Sequence, residues 1–223
     1  LDPMVGTDED KGLPMNELWH FHYPLTLATM TMILSMPLIS AALARSPDSV
    51  RMLAAWGLAQ GTMFLFRSVT FALPETVVAL YRDTETRVRL SEFCTRVGIV
   101  CGVAVLLAYF SGAANWFFLV VLDGKPEIVV LSALALLVTV LVPVVNARGA
   151  LFRGLLAAHR ETKIRLYAII VAIVSLALTL SLGVSLRLDG IVVAGFGMTI
   201  QVAAELIVLS GFWKRSRNIR ALA

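Results

Sequence analysis

The chain has 223 residues, 58% of them hydrophobic and only 15% charged, and a formal net charge of +4 at pH 7. Soluble domains average about 45–50% apolar residues, so this composition excludes an ordinary soluble domain and indicates an integral membrane protein. The basic residues are divided among several loops, without an interleaved aromatic patch. The positive charge therefore reflects membrane topology and contact with the lipid bilayer, and no nucleic-acid partner is expected.

Residues 1–17 are polar and acidic with interspersed Gly and Pro, which predicts a flexible lead-in or a severed linker. Apolar stretches follow, and a span needs about 20 apolar residues. The predicted spans cover approximately residues 18–44, 52–81, 93–111, 127–148, 164–186 and 190–213. The predicted fold is thus all-α, an integral membrane six-helix bundle over residues 18–213, followed by a basic cytoplasmic tail over 214–223.

Three prolines fall inside predicted spans and are expected to kink them, because proline lacks an amide donor and clashes one turn back. They are Pro37, Pro74 and Pro143. After Pro143 the fourth helix is expected to continue as an amphipathic extension to residue 159. Residues 115–122, before that helix, are too short to span and are predicted to lie at the outer interface.

Basic residues fix the expected orientation. One set of predicted inner segments carries most of them: Lys11; Arg82, Arg87, Arg89; Arg153, Arg160, Lys163, Arg165; Lys214, Arg215, Arg217, Arg220. The opposite loops carry only Arg45, Arg51, Lys125 and Arg187. Because cytoplasmic loops are enriched in Lys and Arg, both termini are predicted to lie in the cytoplasm, with the protein in the plasma membrane.

Small residues recur four positions apart at Gly57 and Gly61 and again at Gly98 and Gly102. Such pairs let helix backbones approach closely inside lipid. Two interpretations stay open from the sequence, namely packing within one bundle and a face for dimerisation.

Charges within the predicted spans are the candidates for function, because a central Arg or Lys costs roughly 2.5–3.5 kcal/mol on insertion scales. The candidates for a substrate or ion pathway are Arg67, Glu75, Arg148 and Glu205, with Gln201 one turn from Glu205. At 1.5 Å per residue, Glu75 and Glu205 lie roughly 10 and 14 Å from the inner surface. Either carboxylate is suited to bind a proton or cation, or to pair with Arg67 or Arg148.

Alternative roles for these charges are a structural ion-pair network between helices and snorkelling to the lipid surface. No recognised catalytic constellation, phosphate-binding loop or zinc motif is present in the sequence. We therefore predict no enzymatic activity, no cofactor and no metal site.

Short motifs in the chain resemble those of the progressive ankylosis proteins and their bacterial relatives. These motifs are Ser35-Met-Pro37-Leu-Ile followed by Ala44-Arg45-Ser46, Pro74-Glu75 ending at Tyr81-Arg82, and Val142-Pro143-Val-Val-Asn-Ala-Arg148. That group resembles the multidrug/oligosaccharidyl-lipid/polysaccharide flippase superfamily, which includes the multidrug and toxin extruders (MATE).

This resemblance implies two six-helix lobes that face each other across a cleft and carry substrate by alternating access. The chain is similar to the second lobe, so the partner lobe belongs to a longer chain or to a homodimer. Residues 1–17 would then correspond to the inter-lobe linker. The expected activity is secondary transport or flipping of an amphipathic, anionic or lipid-linked solute, with Arg67 and Arg148 as anion contacts and Glu75 and Glu205 as couplers. The alternative is a membrane scaffold or assembly subunit that transports nothing.

Overall fold

The computed structural model describes residues 33–159 and 161–222, together with residues 19, 23, 26, 27 and 29–31. Throughout these residues the regular structure is helical. The helices are α1 (Ser35–Leu43), α2 (Ser49–Phe71), α3 (Leu73–Leu80), α4 (Thr84–Phe110), α5 (Ala113–Trp116), a π-helical turn (Phe117–Val121), α6 (Pro126–Val138), α7 (Leu141–Ala158), α8 (Thr162–Ser185) and α9 (Gly190–Leu222).

Five helical segments are long and apolar enough to cross a membrane: Ser49–Leu80, Thr84–Phe110, Pro126–Ala158, Lys163–Ser185 and Gly190–Ser216. Many of their large apolar side chains face outward, for example Leu107 at 64% and Ile207 at 68% exposure. In water such a surface would be unfavourable, whereas lipid solvates it. The chain is therefore a multi-pass membrane protein.

The first predicted span is only partly covered by the described residues. Its described portion consists of α1 (Ser35–Leu43) and the helical residues 19, 23, 26, 27, 29–31 and 33. The predicted lead-in over residues 1–17 lies outside the described residues. The described structure thus contains five of the six predicted spans at full length.

Several helix ends differ from the predicted bounds. The predictions ended each span at the nearest charged residue, whereas a helix can continue past charged residues to a capping residue. The third predicted span, 93–111, belongs to a helix that begins at Thr84, where Asp83 accepts a 2.7 Å hydrogen bond from the Thr86 amide. The predicted tail, 214–223, is not a separate segment at its start, since α9 continues as a helix through Leu222.

Each predicted kink residue follows an interruption in a helix. Pro74 lies two residues after Ala72, which separates α2 from α3, and Pro143 follows the break at residues 139–140 between α6 and α7. Pro37 follows a turn at Leu34. For Pro143 the carbonyl four residues back belongs to Thr139, which is where the proline ring prevents a regular helical turn.

The two ends of the bundle are recognisable from contacts between helix termini. At one end the rings of Tyr81, His159 and Trp213 cluster, with centroids 5.2–6.4 Å apart. We call this the basic end, because Arg82, Lys163 and Lys214 lie beside it in sequence. The opposite end carries the Arg51–Glu127 ion pair, with Nε and Oε2 3.4 Å apart.

The glycine pair on α4 packs inside the bundle. A Cβ atom on Gly98 would lie 2.9 Å from Ala147 Cβ, and one on Gly102 would lie 3.0 Å from a Val144 methyl group, so α4 and α7 are in close backbone contact. On α2, a Cβ on Gly57 or Gly61 would meet nothing within 4 Å among the described residues. The first pair is therefore used for packing within the chain, and the second lies on an open face.

Gly154 should be intolerant of even one added methyl group. Its Cβ would lie 2.6 Å from Val77 Cβ and 2.7 Å from the Pro74 carbonyl oxygen. Overpacking lowers the free energy of unfolding by about 1–3 kcal/mol, and the rigid Pro74 carbonyl places Gly154→Ala at the upper end of that range. This loss exceeds the ~1 kcal/mol that alanine gains over glycine in helix propensity. Thermal unfolding in detergent checks this, with Gly57→Ala as the matched control. Equal melting temperatures for both variants would contradict the close contact.

The Asp83 cap should make the start of α4 sensitive to acid. The hydrogen bond from the Thr86 amide lowers the pKa of Asp83. Because the folded pKa is depressed, the stabilisation is present above the unfolded pKa and is lost as the pH falls through the folded one. We expect Asp83→Ala to reduce amide protection at residues 84–87 in hydrogen exchange at neutral pH, whereas Asp83→Asn retains it. A loss of protection equal in both variants would rule out capping as the cause.

Candidate functional site

A cavity of about 100 Å³ lies within the bundle, between α1, α2, α7, α8 and α9. Its polar lining residues are Ser35, Arg67, Asn146, Gln201 and Glu205. Glu205 is nine residues before Lys214 in α9, which places it about 14 Å from the basic end at 1.5 Å per residue. Helices that are long and apolar enough to cross a membrane carry four of these groups, Arg67, Asn146, Gln201 and Glu205; charge within such helices is costly and usually serves a purpose.

Arg153 and Glu205 form a buried ion pair at the edge of this cavity. Nη1 of Arg153 lies 3.1 and 3.2 Å from the two carboxylate oxygens, and the side chains are only 9% and 12% exposed. Nη2 of Arg153 donates to the backbone oxygen of Asn146 at 3.1 Å and to its side-chain oxygen at 2.8 Å. This guanidinium is thus held by hydrogen bonds on two sides.

Asn146 extends the network from α7 to α2. Its Nδ2 donates to the hydroxyl of Thr70 at 2.7 Å, and that hydroxyl donates to the backbone oxygen of Arg67 at 2.7 Å. Asn146 is 3% exposed and Thr70 is fully buried. The side chains of α2, α7 and α9 are therefore joined by one connected set of buried polar groups. Burying polar groups costs least when they are hydrogen-bonded to one another in this way.

Arg67 differs from Arg153 because no carboxylate in the described residues pairs with it. Its Nε is buried without a hydrogen-bond partner there, and its guanidinium carbon lies 5.6 Å from the centre of the Phe71 ring. An arginine over an aromatic ring gains a modest cation–π attraction, which does not replace an anion. Arg67 thus presents an unneutralised positive charge to the cavity.

The local charge balance is positive. Arg67 and Arg165 both interact electrostatically with Arg153 and with Glu205. Nε of Arg165 is likewise buried without a partner in the described part of the chain. One carboxylate therefore faces three guanidinium groups, and Glu205 is already engaged by Arg153.

Gln201 contributes a neutral polar group to the cavity. It lies one helical turn before Glu205 on α9, and its Nε2 donates to the Ser35 hydroxyl at 2.6 Å. This contact links α9 to α1 across the cavity. Within the described residues no three His, Cys, Asp or Glu side chains gather to hold a metal ion. The chemistry available is recognition of a polar or anionic group by guanidinium and amide donors.

The cavity gathers three of the predicted pathway residues, Arg67, Gln201 and Glu205. Glu75 and Arg148 are exposed and do not line it. Glu75 lies on α3, which turns Leu73 and Val77 into the core, and Arg148 follows Ala147, which packs against Gly98 of α4. One alternative left open by the sequence was that a carboxylate pairs with Arg67 or Arg148; in the described residues the ion-pair partner of Glu205 is Arg153.

Arg153 is the residue that sequence reasoning missed, because it was counted among the basic loop residues. It lies within α7, five residues before the helix ends at Ala158, and is buried. The signal that identifies it is its spacing from Asn146. Seven residues are close to two helical turns, so the two side chains lie on one face of α7.

No family model, curated protein or solved structure matches the chain.

Proposed function

We propose that this protein is the membrane-embedded part of a secondary transporter or flippase, and that its solute carries an anionic group. The observation that carries the proposal is Arg67, a charged side chain that faces a cavity at membrane depth without a carboxylate partner in the described residues. Arg67 is partly buried, and a charge withdrawn from water without a partner is costly for stability. This loss of stability in the solute-free protein is understandable if the charge binds a solute reversibly.

The roles of the candidate residues differ under this proposal. Arg67 and Gln201 contact the solute, since both face the cavity and retain donor capacity. Glu205 holds Arg153 and so keeps α7 and α9 together, which makes it a poor proton or cation coupler. Glu75 and Arg148 are exposed and lie outside the cavity, so neither contacts the solute there.

Alternating access needs a second moving body, and we propose a second six-helix lobe as in the superfamily that the sequence resembles. The open face of α2 around Gly57 and Gly61 is suited to that contact, because small residues let another helix approach closely. Under the same proposal the basic end faces the cytoplasm of a cell whose plasma membrane holds the protein.

Reconstitution into liposomes tests the proposal. Three readouts are compared between protein-containing and empty vesicles: efflux of inorganic phosphate, efflux of a dicarboxylate, and movement of a fluorescent phosphatidylglycerol between the two leaflets. Protein-dependent flux of at least one anion is expected, and Arg67→Met should reduce it at least tenfold while Arg148→Met leaves it near wild type. Flux that is equal in Arg67→Met and wild type would contradict the role of the cavity.

A non-transporting scaffold is the second candidate function. The observation in its favour is the Arg153–Glu205–Asn146–Thr70 network, which joins three helices. A scaffold would show no flux of any anion, and it would need Arg67 for stability. The sign of the stability change in Arg67→Met therefore separates the two functions.

A further inference from the structure

A second cavity opens at the surface of the bundle, near the end opposite the basic end. It is a groove of about 430 Å³ between α1 and α8. Leu38 and Ala41 line it on α1, and Ala177, Leu180 and Ser181 line it on α8. Small side chains at Ala41 and Ala177 leave the space between the two helices unfilled. At 1.5 Å per residue, the seven residues from Leu38 to Arg45 give the groove a length of about 10 Å.

Arg45 stands at the mouth of this groove, two residues after the end of α1. Its Nη1 donates to the backbone oxygen of Ala41 at 2.6 Å, and the side chain is exposed. Among the described residues, the nearby carboxylates of Asp48 and Glu127 pair with Arg51 instead, at 3.9 and 3.4 Å. The remaining donors of Arg45 are therefore available to an anion outside the protein.

We infer that this groove binds one acyl chain of an anionic phospholipid, whose phosphate contacts Arg45. An apolar channel about 10 Å long with one cation at its end matches a molecule that joins a hydrocarbon chain to an anionic head. The length corresponds to about two thirds of one leaflet of a 30 Å hydrocarbon core. The site is separate from the buried Arg67 cavity and does not depend on transport.

Native mass spectrometry of the full chain in detergent tests this site. The protein is titrated with phosphatidylglycerol and phosphatidylcholine of identical acyl chains, and bound lipids are counted. We expect a preference for phosphatidylglycerol that falls about fivefold in Arg45→Gln, the effect of one basic residue near an anionic head group. Arg45→Lys should keep most of the preference, and Arg51→Gln, whose side chain is outside the groove, should keep all of it.

A second variant tests the groove itself. Ala177→Phe should fill it and reduce binding of both lipids, while thermal unfolding confirms that the variant is folded; Ser181→Leu serves if it is not. An unchanged lipid preference in Arg45→Gln would overturn the proposal, as would unchanged lipid counts in the filled variant. A wild-type dimer that Ala177→Phe dissociates would also overturn it, because a second copy of the chain would then occupy the groove.

Discussion

Replacing Glu205 by glutamine is expected to lower the stability of the bundle by about 3–5 kcal/mol, the cost of breaking a buried ion pair on one side. Arg153 would keep its charge in a space where Arg67 and Arg165 are already positive. For a chain of this size the change corresponds to a fall in melting temperature on the order of 10 °C. Thermal unfolding in detergent measures it.

The double variant Arg153→Met/Glu205→Leu is the informative control. Removing both charges leaves no unpaired ion, so most of the lost stability should return. Glu75→Gln provides the matched single substitution at an exposed carboxylate and should change the melting temperature little. If Glu205→Gln were as stable as Glu75→Gln, the ion pair would not hold the helices together.

Arg67→Met should change stability in the opposite direction. Since no described carboxylate forms an ion pair with Arg67, its removal relieves a partly buried charge and adds apolar contacts. The lost cation–π contact with Phe71 offsets part of this gain, so the expected increase is about 1 kcal/mol, or 2–4 °C. Under the proposed transport function, the same substitution is expected to reduce anion flux at least tenfold.

This combination of higher stability and lost activity is characteristic of a residue kept for function. Arg148→Met controls for the general effect of removing a basic residue, because Arg148 is exposed and lies outside the cavity. A fall in melting temperature of Arg67→Met would instead favour the scaffold, in which buried charges serve only to join helices.

Sequence reasoning was most successful where the bilayer imposes local requirements. A span must be long and apolar and must satisfy its own backbone hydrogen bonds, so each span can be recognised from its own residues. The helix interruptions before Pro74 and Pro143 have a similarly local cause, because proline acts on the carbonyl four residues back. The helix starting at Thr84 was placed too late because the prediction followed the uncharged window and overlooked the Asp83 cap.

Charge pairing, in contrast, was beyond the sequence. Arg153 and Glu205 are 52 positions apart, and Asn146 and Thr70 are 76 positions apart. The only local signal that sets Arg153, which is buried, apart from Arg148, which is exposed five residues earlier on the same helix, is its spacing from Asn146. Their difference depends on which side of α7 faces the neighbouring helices.

By itself, then, the sequence determined that the chain is a helical multi-pass membrane protein and that charged residues fall within its predicted spans, although it placed Arg153 in a loop. The tertiary structure decided which of those charges meet, by placing Arg67, Gln201 and Glu205 around one cavity and by pairing Glu205 with Arg153. The physical reason is that insertion into lipid depends on the free energy of each segment alone, whereas neutralising a buried charge requires a partner on another helix.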